Sequence, residues 1–543
     1  MPLCVRLRTN PKNGEQEKTY EKHEKILSVF LALCTFLTMF YALSVSVSAS
    51  PLKTPVIYVP GQGTPIYNDK YKKDVNLYTQ STAFPADFAK ELVSKLIEPL
   101  KTGIFKDDWS DYCDVLCDAL DPYFSPLALD DDGNAKGNSG FDSKTTAYDS
   151  PGGYNINSYI WHYDWRLDPA ETAEKLHTYV LAVKKATNSS RVDLISRCLS
   201  VNVFLSYVRK YGATDFNKVI LYSGGFYGFE AIGAFFAGDF SIKGRAVDRF
   251  CACYFSGDKY ENNEIYSVLK AAVTVLAKTG IIDNAAYWVE RAYNQMAGEL
   301  MPRLLMGSYG TFPGFWSMVG EKYFENAKKL NFSGKKTRYK NLIEKIDDYH
   351  LNTYAHTEEL MNRAISDGAL IHILTKYGLE AAPISKDFSN MQSDDMLSAY
   401  SSSYGATCSG VIGKFNKAYM KAAEMNGTSK YIGADRQIDA STCFLPNHTW
   451  FLKNLTHKNM PNCVNPLLEA ILNSAGYMSV FDNEAFPQYL VIDDNATEMK
   501  PLTKENGDTQ NKALTKFFSS LRTLIKYFNK IIRDFFNKKL GKG

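Results

Sequence analysis

One cysteine, Cys198, occupies a position where its side chain could act as a nucleophile. It lies in the segment 192–200, VDLISRCLS, where a β-branched apolar run leads into a short polar turn, and residues 201–211 after it have a helical pattern. A strand, a sharp turn and a helix, with small residues two positions before and after the nucleophile, are typical of the nucleophile elbow G-x-S-x-G. Ser196 and Ser200 fill the two small positions here. The segment therefore predicts an elbow that presents a thiol.

Two features of this turn favour the reactive thiolate form of Cys198. The residue would lie at the N-terminus of the following helix, and Arg197 precedes it directly. A helix N-terminus and a neighbouring cation both stabilise a negative charge on sulfur. The alternative interpretation is a buried structural cysteine on a turn that has no catalytic role.

A thiol nucleophile needs a base and an acid to orient that base, and in this type of site they follow in the chain order nucleophile, acid, histidine. Among the eight histidines, His448 and His457 are the two that follow the last predicted acid-bearing strand, at 431–434. Asp435 follows that strand, which makes it the expected orienting acid. The alternative for Asp435 is an ordinary acid of a solvated turn. His457 is the favoured base, and His448 is its competitor.

The elements around these residues predict an α/β protein with a mostly parallel sheet. Short apolar runs alternate with segments of helical periodicity, and this alternation requires crossover connections between parallel strands. The predicted strands are 55–59, 192–195, 218–222, 369–374 and 431–434, and the predicted helices of the core are 87–101, 170–186 and 201–211. Residues 260–367 are mostly helical and rich in aromatic residues, which predicts a large helical cap insertion.

The two ends of the chain differ from this body. An uncharged apolar run at 26–47 ends in small residues before Ser50, so 1–49 is predicted to be a signal peptide cleaved after Ala49 or an uncleaved signal anchor. In 512–543, nine basic residues accompany one acid, and apolar residues recur at helical spacing. This pattern predicts a C-terminal basic amphipathic helix that lies on an anionic membrane surface, or else packs on a protein partner or forms a coiled coil. The formal net charge of the whole chain is only +3, which argues against nucleic acid as a partner.

Several blocks of the sequence together resemble one family, the lecithin:cholesterol acyltransferase-like branch of the α/β-hydrolases. The blocks, in chain order, are PVIYVPGQG at 55–63, YDWRL at 163–167, VDLISRCLS at 192–200, PGFWSM at 313–318, the region of Asp435, and HKNM at 457–460. The resemblance covers roughly 55–474 and not the C-terminal tail.

The resemblance implies an α/β-hydrolase fold and a set of site residues. It implies Cys198 as nucleophile, Asp435 as orienting acid and His457 as base, with the backbone N–H groups of Gln62 and Leu199 as the oxyanion hole. The sequence departs from the family at the elbow, where cysteine replaces serine and both glycines are serines. No metal and no organic cofactor are expected.

The predicted function is an exported ester or lipid hydrolase, or an acyltransferase, that uses a Cys-Asp-His triad. Its expected partners are a lipid or ester substrate and a membrane surface, and its expected location is extracellular or at the cell surface, associated with the membrane. The alternative is a non-catalytic surface or lipid-binding protein on the same scaffold. The predicted organisation is an export segment at 1–49, a hydrolase core at 50–259 and 368–500, a cap at 260–367, a linker at 501–511 and the amphipathic helix at 512–543.

Overall fold

The fold is an α/β sandwich in which helices cover both faces of one central sheet. The computed structural model describes residues 53–62, 64–68, 85, 88–136, 139–141, 155–254, 273–381, 383, 385, 388–493 and 495–507. The predicted α/β class and mostly parallel sheet are confirmed.

Eight strands form the central sheet, in the order β12-β11-β10-β7-β6-β5-β1-β4. All neighbouring pairs are parallel except β12 and β11, which run antiparallel to each other. Two further two-stranded sheets, β2-β3 and β8-β9, lie outside it. The strands are β1 Val56–Val59, β2 Ile66–Asn68, β3 Ser139–Phe141, β4 Tyr159–Ile160, β5 Val192–Arg197, β6 Phe216–Tyr222, β7 Leu370–Tyr377, β8 Thr407–Cys408, β9 Ile438–Asp439, β10 Thr449–Lys453, β11 Tyr489–Ile492 and β12 Met499–Pro501.

Helices connect the strands and form the outer layers. The α-helices whose bounds the structure describes are α1 Phe88–Lys106, α2 Ser110–Phe124, α3 Pro169–Thr187, α4 Ser200–Tyr211, α5 Glu230–Phe236, α6 Gly244–Tyr254, α7 Ile281–Met306, α8 Pro313–Trp316, α9 Glu321–Phe332, α10 Lys340–Asn352, α11 Thr357–Ser366, α12 Ala399–Ser402, α13 Lys417–Met425, α14 Asn465–Asn473 and α15 Lys504–Gly507.

Alternation along the buried strands explains why both faces of the sheet are covered. Successive side chains of a strand point to opposite faces. Leu194 of β5 and Val219 of β6 belong to the core that contains α3 and α4. Their neighbours Ile195 and Ile220 belong to the core on the opposite face, which contains α14. Such continuous apolar runs are typical of parallel strands that are buried on both sides.

The strand order defines where a site can form. From β1 the chain moves to β4 at one edge, and from β5 it moves the other way through β6 and β7. Connections therefore diverge between the carboxyl ends of β1 and β5, which is the crevice where open parallel sheets bind ligands. Cys198 follows β5 directly, and Gly61 lies two residues after the end of β1.

The helical insertion between β6 and β7 packs into the main core over its second half. Asn202 of α4 donates through Nδ2 to the carbonyl oxygen of Ser317 at 3.0 Å. Trp316 is 1% exposed and shares a core with residues of α4 and of the sheet. Residues 313–366 therefore form part of the helical layer on that face.

One predicted strand is wrong. Residues 431–434 do not join the central sheet, because the chain there makes a 3-10 helix, Ser429–Tyr431, and then a turn at Ala434 and Asp435. The predicted helices of the core are observed, at Phe88–Lys106, Pro169–Thr187 and Ser200–Tyr211.

The export segment 1–49 and the amphipathic segment 512–543 lie outside the described residues. Within the residues that the structure describes, no helix combines the length and the apolar character needed to span a membrane.

Candidate active site

Cys198 lies on a strained turn between β5 and α4. Its φ is +56°, in the left-handed region that residues other than glycine rarely adopt. The turn is held because the backbone N–H of Cys198 donates to the carbonyl oxygen of Tyr222 in β6, at 2.9 Å. Strain that the surrounding structure maintains in this way is a feature of functional sites. The predicted elbow is therefore present as a backbone conformation.

The two serines that replace the elbow glycines are accommodated by hydrogen bonds. The hydroxyls of Ser196 and Ser200 lie 2.9 Å apart, and both residues are buried. Ser200 Oγ also lies 2.9 Å from the carbonyl oxygen of Val59 and accepts from the backbone N–H of Arg197 at 2.7 Å. These contacts satisfy both hydroxyls inside the turn and connect it to β1. Serine at the two flanking positions is thus compatible with the elbow.

His457 lies beside Cys198, on the loop that follows β10. Its Nε2 atom is 3.1 Å from Cys198 Sγ. The ring packs edge to face against Phe229, with centroids 5.6 Å apart. This distance is within hydrogen-bonding reach of a thiol and a base, so the predicted pairing of Cys198 with His457 is present.

His448, the competing base, lies just before β10, at the opposite end of that strand from His457. Its Nδ1 atom is 2.9 Å from the carbonyl oxygen of Met478, and its ring stacks on Tyr477. It is not part of the Cys198 site.

The carboxylate that contacts His457 belongs to Asp394. Asp394 Oδ2 is 2.7 Å from His457 Nδ1, and the side chain of Asp394 is fully buried. Its other oxygen, Oδ1, accepts from the backbone N–H of Leu397 at 2.9 Å. The backbone N–H of His457 donates to the carbonyl oxygen of Asp394 at 2.6 Å. Side chain and backbone of Asp394 together hold the imidazole with Nε2 toward the thiol.

Asp435 is not the orienting acid. Its Oδ2 atom accepts from Lys453 Nζ at 2.8 Å and from the hydroxyl of Tyr377 at 3.0 Å. Lys453 ends β10 and captures Asp435 in a separate buried network with Gln437. The prediction failed because Asp435 was assigned to a sheet strand that does not exist, whereas the segment with Asp394 resembled an ordinary polar loop.

A topological signal for Asp394 was present in the sequence. The apolar run that becomes β7 is followed by Ser393-Asp394-Asp395, an acidic turn that lies between that strand and His457. A bridge between Leu379 and Ser393 folds the loop back onto the end of β7. That long-range pairing brings Asp394 to the site.

The charges of the three residues are coupled. Burial alone would raise the pKa of the Cys198 thiol, but the positive charge of His457, its hydrogen bond and the charge of Arg197 outweigh burial and lower that pKa. Burial likewise opposes a charged imidazole, yet Asp394 and Cys198 raise the pKa of His457 to about 10. The pKa of Asp394 is lowered, because the charge of His457 outweighs its burial. These directions favour the charged forms of all three residues, the thiolate, the imidazolium and the carboxylate.

A buried lysine holds the loop that carries His457. Lys376, near the end of β7, donates through Nζ to the carbonyl oxygens of Thr456, His457 and Asn459 at 3.0, 2.9 and 2.7 Å. Burial and the charge of Arg197 lower the pKa of Lys376 to about 7. Sequence analysis did not identify this residue, because a lysine in an apolar strand has no local signal of such a role.

Arg197 supports the same loop from the elbow. Its Nη2 atom donates to the carbonyl oxygens of His457 and Lys458 at 2.8 and 2.7 Å. The cation next to Cys198 therefore both favours its thiolate form and connects the elbow to the loop that carries His457.

The turn after β1 lies against Cys198. A Cβ atom on Gly61 would be 2.7 Å from Cys198 Cβ and 3.3 Å from its Sγ, so only glycine fits this close approach. The backbone N–H of Leu199 forms a hydrogen bond that favours the thiolate of Cys198. These contacts are compatible with the predicted oxyanion donors, the N–H groups of Gln62 and Leu199, whose role remains a prediction.

No protein-family model matches the chain, and no curated protein matches it in sequence. In the part of the chain that the structure describes, there is no group of three or more His, Cys, Asp or Glu side chains that could hold a metal ion.

Proposed function

We propose that this chain is an acyl-transfer enzyme of the α/β-hydrolase type, an ester or lipid hydrolase or an acyltransferase, with Cys198 as nucleophile, His457 as base and Asp394 as orienting acid. The observation that supports the proposal is the continuous contact from Cys198 Sγ to His457 Nε2 at 3.1 Å and from His457 Nδ1 to Asp394 Oδ2 at 2.7 Å. A nucleophile within reach of a base that a third group orients is the recurring arrangement for covalent catalysis.

The reaction would proceed in two balanced halves. The thiolate of Cys198 attacks the ester carbonyl carbon, and the carbonyl π electrons move to oxygen. When this intermediate collapses, the carbon–alkoxide bond breaks, the alcohol leaves with a proton from His457 Nε2, and a thioester remains on Cys198. Water, or an acceptor alcohol, then gives its proton to His457 and attacks the thioester, which regenerates the thiolate.

The family, the membrane association and the export belong to this proposal as well. The resemblance to the lecithin:cholesterol acyltransferase-like branch supports an acyl ester as substrate class, and the segments 1–49 and 512–543 support export and contact with a membrane surface. If no acyl group is found on Cys198 in the following experiment, the result would favour the alternative, a non-catalytic role on the same scaffold.

The test is acylation of the folded protein with p-nitrophenyl esters of short and long acyl chains, followed by mass spectrometry. We expect a thioester on Cys198 and turnover that iodoacetamide abolishes. In Cys198→Ala, turnover should fall by about 1,000-fold or more. Cys463→Ala serves as control, because Cys463 is a free thiol whose pKa burial raises, and it should retain wild-type turnover. Turnover that survives in Cys198→Ala would refute the proposal.

A further inference from the structure

The core that packs against Cys198 contains a buried hydroxyl for which the described residues offer no hydrogen-bond partner. Tyr163 is 2% exposed, and its hydroxyl oxygen makes no hydrogen bond within the described part of the chain. An unsatisfied buried donor destabilises a folded protein by roughly 1–3 kcal/mol, so such groups are rare. A group kept in this condition beside a reactive residue points to a partner that arrives only with the substrate.

The backbone places Tyr163 beside the turn that follows β1. The residue follows β4, the neighbour of β1, and its backbone N–H donates to Thr64 Oγ1 at 3.2 Å. Thr64 belongs to the same turn as Gly61, which approaches Cys198 closely. The ring of Tyr163 is held by parallel stacking on Trp161, with centroids 5.1 Å apart and planes at 5°. The tyrosine is therefore a rigid part of the wall of the site.

The hydroxyl is also within electrostatic range of the nucleophile. Burial raises the pKa of Tyr163 well above its usual value, and the negative charge of Cys198 raises this pKa further. The phenol therefore remains protonated at all working pH values and can act only as a hydrogen-bond donor or acceptor, not as a base. A neutral donor held near the attacking sulfur can contact the oxygen atom of the carbonyl that the sulfur attacks.

We infer that Tyr163 is a further catalytic residue, whose hydroxyl donates a hydrogen bond to the carbonyl oxygen of a bound acyl ester as that oxygen becomes negative. This inference rests on the proposed function. The phenol keeps its proton throughout, so the electron balance of the two half-reactions is unchanged. Its contribution adds to that of the backbone donors, because the charge on the oxygen is greatest in the tetrahedral intermediate.

The test uses an alkyl trifluoromethyl ketone, which forms a reversible tetrahedral adduct with a thiolate and carries a negative oxygen where the intermediate would. In Tyr163→Phe we expect the affinity for this ketone, measured by ¹⁹F NMR, to fall by about 100-fold, the usual loss for one oxyanion donor. The rate of alkylation of Cys198 by iodoacetamide needs no oxyanion and should stay within about twofold of wild type. Tyr179→Phe is the matched control, since Tyr179 also packs against Trp161 but lies on α3, and it should change neither quantity.

The outcomes separate the two claims. If the wild-type protein forms no adduct on Cys198, the proposed function fails and this inference fails with it. If wild type forms the adduct and Tyr163→Phe binds the ketone equally well, only the role of Tyr163 is overturned. Removal of an unsatisfied hydroxyl should leave the Tm of Tyr163→Phe at or above that of wild type. A lower Tm together with equal losses of ketone affinity and alkylation rate would assign Tyr163 a structural role and overturn the inference.

Discussion

Cys198, His457 and Asp394 act as one electrostatic unit. Each is buried or partly buried, and for each the neighbouring residue of opposite charge outweighs the effect of burial on its pKa. The charge of His457 therefore favours the thiolate form of Cys198, and the charge of Asp394 favours the imidazolium form of His457. The loss of the Asp394 carboxylate should therefore change the pKa of Cys198.

At the residue scale, the first prediction compares two buried aspartates. Asp394→Asn should lower ester turnover by about 100-fold or more, since an amide neither stabilises the imidazolium nor fixes its tautomer. It should also raise the pKa of Cys198, which the pH dependence of iodoacetamide alkylation measures. The matched change Asp435→Asn removes a carboxylate that contacts Lys453 and not His457, so we expect it to lower thermal stability and to keep the wild-type alkylation profile. The reverse pattern would restore Asp435 as the orienting acid.

At the scale of elements, neighbouring strands of the sheet end in buried lysines with different tasks. Lys376 in β7 donates to three carbonyl oxygens of the loop that carries His457. Lys453 in β10 donates to Asp435, Gln437 and the carbonyl oxygen of Gly507. Each lysine is nearly inaccessible to solvent, and each fastens a loop to the carboxyl edge of the sheet.

The second prediction concerns Lys376 as a positioning residue. Lys376→Met keeps the aliphatic stem and removes the ammonium, so three carbonyl oxygens lose their donor and His457 loses its fixed place. We expect turnover to fall by about tenfold or more, and Cys198 alkylation to slow. Lys453→Met leaves the buried carboxylate of Asp435 without its lysine partner. We expect it to lower the free energy of unfolding by roughly 3 kcal/mol, without slowing alkylation of Cys198. Equal alkylation rates in the two variants would contradict the positioning role.

The third prediction is the pH dependence of the contribution of Lys376 to stability. Its folded-state pKa is about 7, below the usual 10.5. Between these values the unfolded chain binds the proton and the folded chain does not, so this group's contribution to stability rises with pH over that window and is lowest below pH 7. The free energy of unfolding of wild type minus that of Lys376→Met should therefore increase from about pH 7 to 10, by at most about 1.4 kcal/mol per pH unit. Urea unfolding across this range measures it, and a flat difference would contradict the lowered pKa.

At the scale of the whole molecule, the insertion and the sheet share one core. Gly314 of α8 lies so close to the YDWRL segment that a Cβ atom there would be 2.2 Å from the carbonyl oxygen of Trp165. Phe315 stacks on the ring of Trp165, with centroids 5.5 Å apart. Damage at this contact should therefore destabilise insertion and sheet together.

The fourth prediction tests this shared core. Gly314→Ala places a methyl group against backbone that cannot move away, and we expect the free energy of unfolding to fall by about 1–3 kcal/mol. Gly298→Ala, inside helix α7 where a Cβ atom meets nothing within 4 Å, should instead stabilise by roughly 0.5–1 kcal/mol. Thermal unfolding followed by both tryptophan fluorescence and circular dichroism should show one coincident transition in each variant. Two separate transitions would mean that the insertion unfolds on its own.

The amino-acid sequence by itself determined the features that depend on neighbours in the chain. The strand, turn and helix around Cys198 are encoded by consecutive residues. The apolar runs that become β1, β5, β6 and β7 alternate with segments of helical periodicity, and this alternation predicts a parallel sheet. His457 could also be identified from the sequence, because only two histidines follow residue 434.

Only the tertiary structure decided which acid completes the site. Asp394 and Asp435 both lie in polar turns with no periodicity, and nothing local distinguishes them. The choice depends on β10 pairing with β7, on the long loop after β7 that folds back on itself, and on Lys453, which captures Asp435. The buried position of the Tyr163 hydroxyl and the loop contacts of Lys376 also depend on tertiary contacts. They join parts of the chain that are far apart in sequence, and packing alone brings such parts together.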